Sequence, residues 1–431
     1  MHELGAVPRS QLTKETGLNR STVGALVSEL VDLGLVVETE PDPTHLVGRP
    51  SAVIVPSKRV VAITVNPELD AVEVAIVGLG GVVLARSRRL TGSTPTGSTL
   101  AASKPTGLPL AASKPTGSTP TGSTPTVQAA VALAVQQIHE LLAAPGTAYR
   151  VAGIGLAVPG LVRADDGVVA LAPDLNWRDA PIAELICEAT GFPALAANDA
   201  TLGAVAEHAR GAGRGHDDVI YINGGASGIG GGIIVAGTVL GGVSGFAGEL
   251  GHTLVNSGGA PCHCGSTGCL ETEVRRETLL EALGLNTVQA TRVIESQRGY
   301  LARALANTVN LFNPKLIVLG GFLATLLETD PARLKELVSA STLRGPRDDV
   351  QLASAELGGD TLMIGAAELV FAKLIADPAG TALASNSAVA SNTPLASNTP
   401  LAESRVKESP PGLPSIIATD PITLNFWDTR S

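Results

Sequence analysis

Between residues 8 and 36 apolar positions repeat at helical spacing. The segment PRSQLTKETGLNRSTVGALVSELVDLGLV predicts a short helix over 9–16, a turn at Gly17, and a second helix opening on Asn19 as its N-cap. In the second helix Val23, Leu26, Val27 and Leu30 recur at i, i+3, i+4 and i+7, which puts one apolar stripe inward. Arg20, Ser21 and Thr22 then occupy an exposed first turn, the part of a helix-turn-helix that meets base edges. The run LVVETEPDPTHLVGRPSAVIVP reads as two strands around a Pro-containing loop, the wing of a winged helix, with Arg49 placed to enter a minor groove.

Strand periodicity takes over at 59–90, where three strands turn near Asn66 and Gly80. Helices and strands then alternate. A helix over 127–143 leads to a buried strand VAGIGLAVPG, a helix near 181–189, a strand PALAA and a helix from Asp199. Strands DVIYING and GIGGGIIVAG flank a Gly-rich turn, and helix GYLARALANTVNLF, strand KLIVLGG and helix TLMIGAAELVFAKLIA close the pattern. Two lobes of sheet plus helices, each opening with antiparallel strands and ending in crossovers, predict an α/β fold with a cleft between lobes. Such a cleft is the default ligand site.

Two tracts interrupt this pattern. Residues 91–126 are built from repeats such as TGSTP, and the second tract surrounds LASNTPLASNTPLAES. With little to bury and many turn formers, both are expected to be disordered. The chain therefore divides into a head over 1–56, a core over 57–376 carrying the insert at 91–126, and a tail over 377–431. Its 431 residues have room for two or three such units. Aromatic residues supply 3% of the chain against 44% hydrophobic overall, so Ala, Val, Leu, Ile and Gly must build the core, which also favours α/β architecture.

The net charge of −10 argues against a generally basic nucleic-acid coat and leaves local DNA contact open. In the head alone four cations face seven carboxylates, a net of −3, so DNA binding requires its few cations to gather on one face. Short helical pairs of this kind also serve as packing or protein-interaction modules. The chain opens with no signal-peptide pattern and contains no apolar run of about 18 residues. A cytoplasmic protein without membrane contact is expected.

Three of the four cysteines fall in PCHCGSTGCLE at 261–271. In a reducing compartment the spacing C-x-C-x4-C reads as metal ligation rather than disulfide pairing. Zinc takes four ligands in a tetrahedron, and Cys262, Cys264 and Cys269 supply three. His252, in FAGELGH, is the candidate fourth, because His263 between two cysteines of an extended segment would point away from their sulfurs. Reduced thiols in a Gly-rich loop are the plain alternative and leave the spacing unexplained; Cys187 reads as a small buried hydrophobe. A closed four-ligand site is structural, and it would hold a loop that carries Glu249 near one end and Glu271 at the other. Asn198 and Asp199 end a strand, where α/β folds face their ligands. Three carboxylates, an amide and an imidazole suit a ligand dense in hydroxyls, a sugar or polyol. Each also has a bland reading: Glu249 and Glu271 as solvated carboxylates, Asp199 as a helix cap.

The run FAGELGH…PCHCGSTGCLE, with AAND before it and ING…GIGGG between, resembles the ROK family, which contains sugar kinases and sugar-responsive transcriptional regulators. The similarity spans roughly residues 8–376 apart from the insert. It implies an actin-like or ribonuclease-H-like ATPase fold in two lobes, preceded here by a winged helix-turn-helix. It implies a structural zinc on His252, Cys262, Cys264 and Cys269, and sugar contacts from Asn198, Asp199, Glu249, His252 and Glu271. In the family's kinases the aspartate matching Asp199 is the general base for the attacking hydroxyl. Those kinases also carry an Asp-x-Gly-Gly-Thr turn in the first hairpin to hold ATP phosphates, and here the aligned residues 64–68 read TVNPE. Pro67 removes an amide donor and Glu68 puts negative charge where phosphate would sit. Phosphoryl transfer without that cradle loses most of its positioning and charge stabilisation, so no ATP use is expected.

The family's regulators add the helix-turn-helix, and GRP at 48–50 matches their wing. They carry a full helix before RSQLTKETGL where this chain has MHELGAV, so the head's first helix is expected to be cut short. The resulting expectation is a non-enzymatic, sugar-responsive repressor that binds operator DNA, a sugar or sugar-phosphate effector and a structural zinc, as a homodimer or homotetramer. The alternative is an ATP-dependent sugar kinase with an aberrant phosphate loop.

Overall fold

The computed structural model describes residues 1–40, 51–91, 124–144 and 148–385. In the head, strand β1 (Val7–Pro8) leads into helices α1 (Arg9–Thr16) and α2 (Arg20–Asp32), then strands β2 (Val36–Thr39) and β3 (Val53–Pro56), in an antiparallel sheet ordered β1-β3-β2. Gly17 ends α1 in the left-handed region at φ 67°, and the Asn19 side chain caps α2 by accepting from the Thr22 amide. Val7, Leu12, Val23, Val27, Val36 and Ile54 form the head's core. One expected member of the stripe is displaced: Leu26 is 46% exposed, because the two-helix unit covers only the Val23 and Val27 side of α2. Arg49 and the loop around it lie outside the described residues.

The first lobe follows with β4 (Val60–Pro67), β5 (Ala71–Gly78), β6 (Val82–Leu90), α3 (Val127–Leu142) and β7 (Arg150–Val158). A small antiparallel sheet of β8 (Leu161–Val162), β9 (Val169–Ala172) and β10 (Trp177–Ala180) comes next, then α4 (Ile182–Thr190), β11 (Ala194–Asn198) and α5 (Asp199–Arg210). The second lobe contains β12 (Val219–Gly224), β13 (Ile229–Val235), β14 (Thr238–Val239), α6 (Leu270–Glu273), α7 (Arg276–Leu283), α8 (Val288–Phe312), β15 (Leu316–Gly321), α9 (Phe322–Thr329), α10 (Pro331–Ala340), α11 (Pro346–Asp349) and β16 (Gln351–Ser354). Helix α12 (Thr361–Ala376) returns to the first lobe, and β17 (Ala384–Ser385) pairs with β7.

Both main sheets have the same plan. The first runs β6-β5-β4-β7-β11 and the second β14-β13-β12-β15-β16; in each, three antiparallel strands are extended by two parallel ones. Helices α12 and α5 stack between the two sheets, α12 against β7 and β4, α5 against β13 and β12. Their own contact depends on Gly365, where a Cβ would stand 2.1 Å from the Leu202 carbonyl oxygen, so only hydrogen permits this approach. Apolar burial on both sides of the stack is what closes the lobes together, at roughly 25 cal/mol per Å².

The repeat tracts fall largely outside the described residues, at 92–123 and 386–431. Their described ends are ordered into the fold, contrary to the expected limits. Thr91 donates its amide to the Asp70 carbonyl, the Trp177 indole donates to the Pro125 carbonyl at 2.9 Å, and Thr126 caps α3. The expected tail begins with a turn at 377–381 and then the β17 strand, which completes an edge beside β7. Among the described residues no helix is long and apolar enough to cross a membrane.

Candidate functional site

A cleft of about 660 Å³ opens between the lobes, and Asn198, Asp199, Glu249, His252 and Glu271 all line it. Sequence positions 73 residues apart therefore converge at one place, for local reasons that differ. Asn198 ends the parallel strand β11 and caps α5: its side-chain oxygen accepts from the Thr201 amide at 2.9 Å and its nitrogen donates to the Gly160 carbonyl at 2.9 Å. The helix-capping role considered for Asp199 thus falls to Asn198. The Asp199 carboxylate accepts from the Ala200 amide at 2.8 Å and faces the cleft from the first residue of the helix. Burial pushes its carboxyl up from the ordinary aspartate value, against that hydrogen bond.

Glu249 and His252 are delivered by the 3-10 turn at Leu250–His252, which lies flat on β13. Gly251 makes this possible, since a Cβ there would come within 1.9 Å of the Ile229 carbonyl oxygen. Burial raises the Glu249 carboxyl as well, more than His252 lowers it. The His252 ring bridges two functions. Its Nδ1 is 3.6 Å from the Cys262 sulfur and its Nε2 is 3.9 Å from Glu249, so one edge faces the cysteines and the other the cleft.

His252, Cys262, Cys264 and Cys269 bring their four ligand atoms within 4.8 Å of one another. Bonds of about 2.3 Å to sulfur and 2.0–2.1 Å to nitrogen in a tetrahedron require sulfur–sulfur edges near ~3.8 Å and sulfur–nitrogen edges near ~3.6 Å. The Cys264–Cys269 separation is 3.7 Å and the Cys262–His252 separation 3.6 Å, which fits a zinc-sized ion. A tight turn sets the cysteine spacing, with the Cys262 amide donating to Ser266 and the Gly265 amide to Cys262. Glu273, which sequence reasoning passed over, buttresses the loop by accepting from Asn256 and from the Ala260 amide, both at 2.8 Å. His263 corrects one expectation: it does not turn away but stands against the His252 ring, with its Nδ1 3.2 Å from Glu271.

Other cleft residues were also missed. Asp174, Asn176 and Arg178 come from the β9–β10 hairpin and Asn223 from β12. Asn176 sits in the left-handed region at φ 53°, which the hairpin turn needs and asparagine tolerates. The Asp-Leu-Asn turn in APDLNW was the available signal. Burial raises the Asp174 carboxyl too, so several acids that resist ionisation share this space.

The β4–β5 turn is differently made. The Glu68 amide donates to the Ala71 carbonyl, and its carboxylate accepts from Arg88 Nε at 2.9 Å, while Arg88 also pairs with Asp70. Thr64 is buried and donates to the Ala75 carbonyl or to the Met363 sulfur. In the head, Arg20 and Ser21 are exposed and Thr22 half-buried at the start of α2. Ser21 donates to the capping Asn19 oxygen at 2.6 Å, whereas no hydrogen bond or ion pair engages Arg20 among the described residues. Arg9 pairs with Glu38 across the head at 2.5 Å, leaving Lys14 and Arg20 as its unpaired described cations.

The ROK family model matches residues 118–373, well over half of the chain. The chain belongs to the ROK family. A xylose repressor of Bacillus subtilis is 26% identical over 385 residues, covering 84% of this chain and 91% of the repressor. A glucokinase of Halalkalibacterium halodurans is 34% identical over 250 residues, covering 51% of this chain and 76% of the kinase. Among solved structures, a ROK family transcriptional regulator described as a homolog of the E. coli MLC protein superposes with a TM-score of 0.64 at 24% identity, covering 84% of this chain and 91% of that one. The two-lobed α/β architecture is accordingly the actin-like fold of ROK kinases and regulators, as expected from the motifs.

Proposed function

We propose that this ROK protein is a sugar-responsive transcriptional repressor rather than a kinase. The observation that carries the reading is the pairing of an acidic, hydroxyl-matching cleft with a helix-turn-helix head in one chain, and the longer alignment to a repressor than to a glucokinase supports it. Asp199, Glu249 and Glu271 would accept sugar hydroxyls, Asn198 retains one amide hydrogen for the ligand, and His252 Nε2 supplies a further polar edge. Zinc on His252, Cys262, Cys264 and Cys269 would supply structural rigidity, holding Glu249 and Glu271 at fixed separation. Arg20, Ser21, Thr22 and Arg49 would contact operator DNA, as two or four copies of the chain on a palindromic site in the cytoplasm.

The β4–β5 turn supports the non-enzymatic reading. Its one amide bond is spent inside the turn and its carboxylates surround Arg88, so it offers a phosphate neither free donors nor free positive charge. A coupled assay with ATP and a panel of hexoses and pentoses tests this: turnover at roughly 1 per second or above, within the kinase range, replaces the repressor reading with the kinase one. Gel retardation of the DNA upstream of the chain's own gene tests the other half. Arg20→Ala is expected to abolish retardation and leave sugar binding intact, and loss of neither or of both counts against the assignment.

A further inference from the structure

Helix α5 touches both ends of the proposed response. It starts in the cleft with Asp199 and ends with Arg210, about 16 Å away at 1.5 Å per residue. Arg210 Nε donates to Glu368 Oε1 on α12 at 2.9 Å, and its Nη1 donates to the backbone carbonyls of His2 and Glu3. Glu368 Oε2 lies 2.7 Å from Nε2 of His2. The Gly80 amide donates to Nδ1 of the same ring at 3.1 Å, so Nε2 carries the proton and donates to Glu368. Phe371 packs against the His2 ring edge-on at 5.3 Å between centroids.

This cluster is not a surface ion pair. The Glu368 side chain is 3% exposed, and those of His2 and Arg210 are each 10% exposed. Burial pushes the Glu368 carboxyl up, and the bonds from His2 and Arg210 outweigh it. Three parts of the molecule meet there: the segment leading into the head, the helix from the cleft, and the helix that crosses it at Gly365. The head has one further polar tether, from the Arg150 guanidinium to the Leu33 carbonyl at 2.6 Å, and an apolar seat where Leu35 joins the Val60 and Phe371 cluster. Because α5 and α12 touch through backbone at Gly365, a tilt of α5 moves Arg210 relative to Glu368 instead of being absorbed by side chains.

We propose that Arg210, Glu368 and His2 form the joint through which occupation of the cleft at the start of α5 repositions the head at its end. The proposal rests on the reading of the protein as a sugar-controlled DNA binder. Occupation matters only through a difference in affinity for two arrangements of the lobes, and the joint closes in one of them. Arg210 and His2 are positioning residues, since neither lines the cleft.

The test uses the full chain, the DNA upstream of its own gene, and D-xylose and D-glucose as probes. In the unmodified protein the ratio of DNA affinities without and with sugar defines the coupling, about 5–150-fold in typical allosteric proteins. His2→Ala and Arg210→Lys are each expected to bring that ratio to within about twofold of one, with sugar affinity changed by less than about threefold. His2→Ala removes no member of the buried apolar clusters, which keeps the test clear of misfolding. A ratio unchanged in both variants overturns the joint and leaves the repressor reading standing. Should neither sugar alter DNA binding in the unmodified protein, the repressor reading falls, and hydrogen exchange of residues 9–32 then decides the joint alone. Faster exchange in both variants supports it, and unchanged protection overturns it.

Discussion

The two lobes share one sheet plan and differ in the turns that face the cleft. In the first lobe the β4–β5 turn is closed by Glu68, Arg88 and Asp70; in the second the β12–β13 turn is Gly225 to Gly228, whose glycines and Ser227 line the cleft. Hydrophobic alternation is enough to build the sheet twice, because period-2 burial is indifferent to turn chemistry. What each turn can bind is decided by free amides and local charge, which can change without disturbing the strands. In a ROK chain this separates keeping the architecture from keeping the phosphate site.

Experiments on each side of that contrast should differ in size. The largest effect is expected on the second-lobe side, where Cys264→Ser should reduce bound zinc from about one per chain to near none and abolish sugar binding together; metal analysis beside calorimetry reads both. Full metal retention would remove Cys264 from the ligand set. Asp199→Asn should weaken sugar affinity by roughly 10–100-fold, about 1.5–3 kcal/mol for a bond to a charged acceptor, with an unchanged melting curve in the absence of sugar. An unaltered affinity would place the sugar elsewhere.

Acidity should sharpen the picture further. Burial raises the Asp199 and Asp174 carboxyls above their unfolded values, so the stability they contribute is present at low pH and is lost as pH rises through the raised values. Sugar hydroxyls prefer the ionised acceptors, so affinity should fall as pH is lowered from about 7 towards about 5. The melting-temperature gain from sugar at the two pH values checks the sign. The smallest effect belongs to the first lobe: Arg88→Ala breaks a half-exposed pair and should cost about 0–1 kcal/mol in denaturant unfolding, with sugar affinity unchanged. A marked loss of sugar binding in this variant would show that the two turns are not independent.

The metal cluster was legible because chemistry itself sets its spacing. Three cysteines in eight residues cannot be satisfied as a hydrophobic pattern, and the loop places their ligand atoms together with His252. The helices of the head were legible for the same kind of local reason, a glycine after α1 and an asparagine cap before α2. Leu26 misled because periodicity reports which side of a helix is apolar and not how wide a partner covers it. Asp174, Asn176 and Arg178 stayed hidden because the short β9–β10 hairpin has no strong period, and His263 because an adjacent ring can turn when a carboxylate such as Glu271 attracts it.

The order of strands and helices, the ligand set for a metal and the altered phosphate turn were all written in neighbouring residues, since caps, periods and donor types act over a few positions. The meeting of Asp199 with Glu249 and Glu271, the stacking of α5 on α12 through Gly365, and the clasp of His2 by Arg210 and Glu368 were settled only by packing. Those contacts join residues 50 to more than 300 positions apart, and at that separation it is the shape of the buried interface, not any local preference, that selects the neighbour.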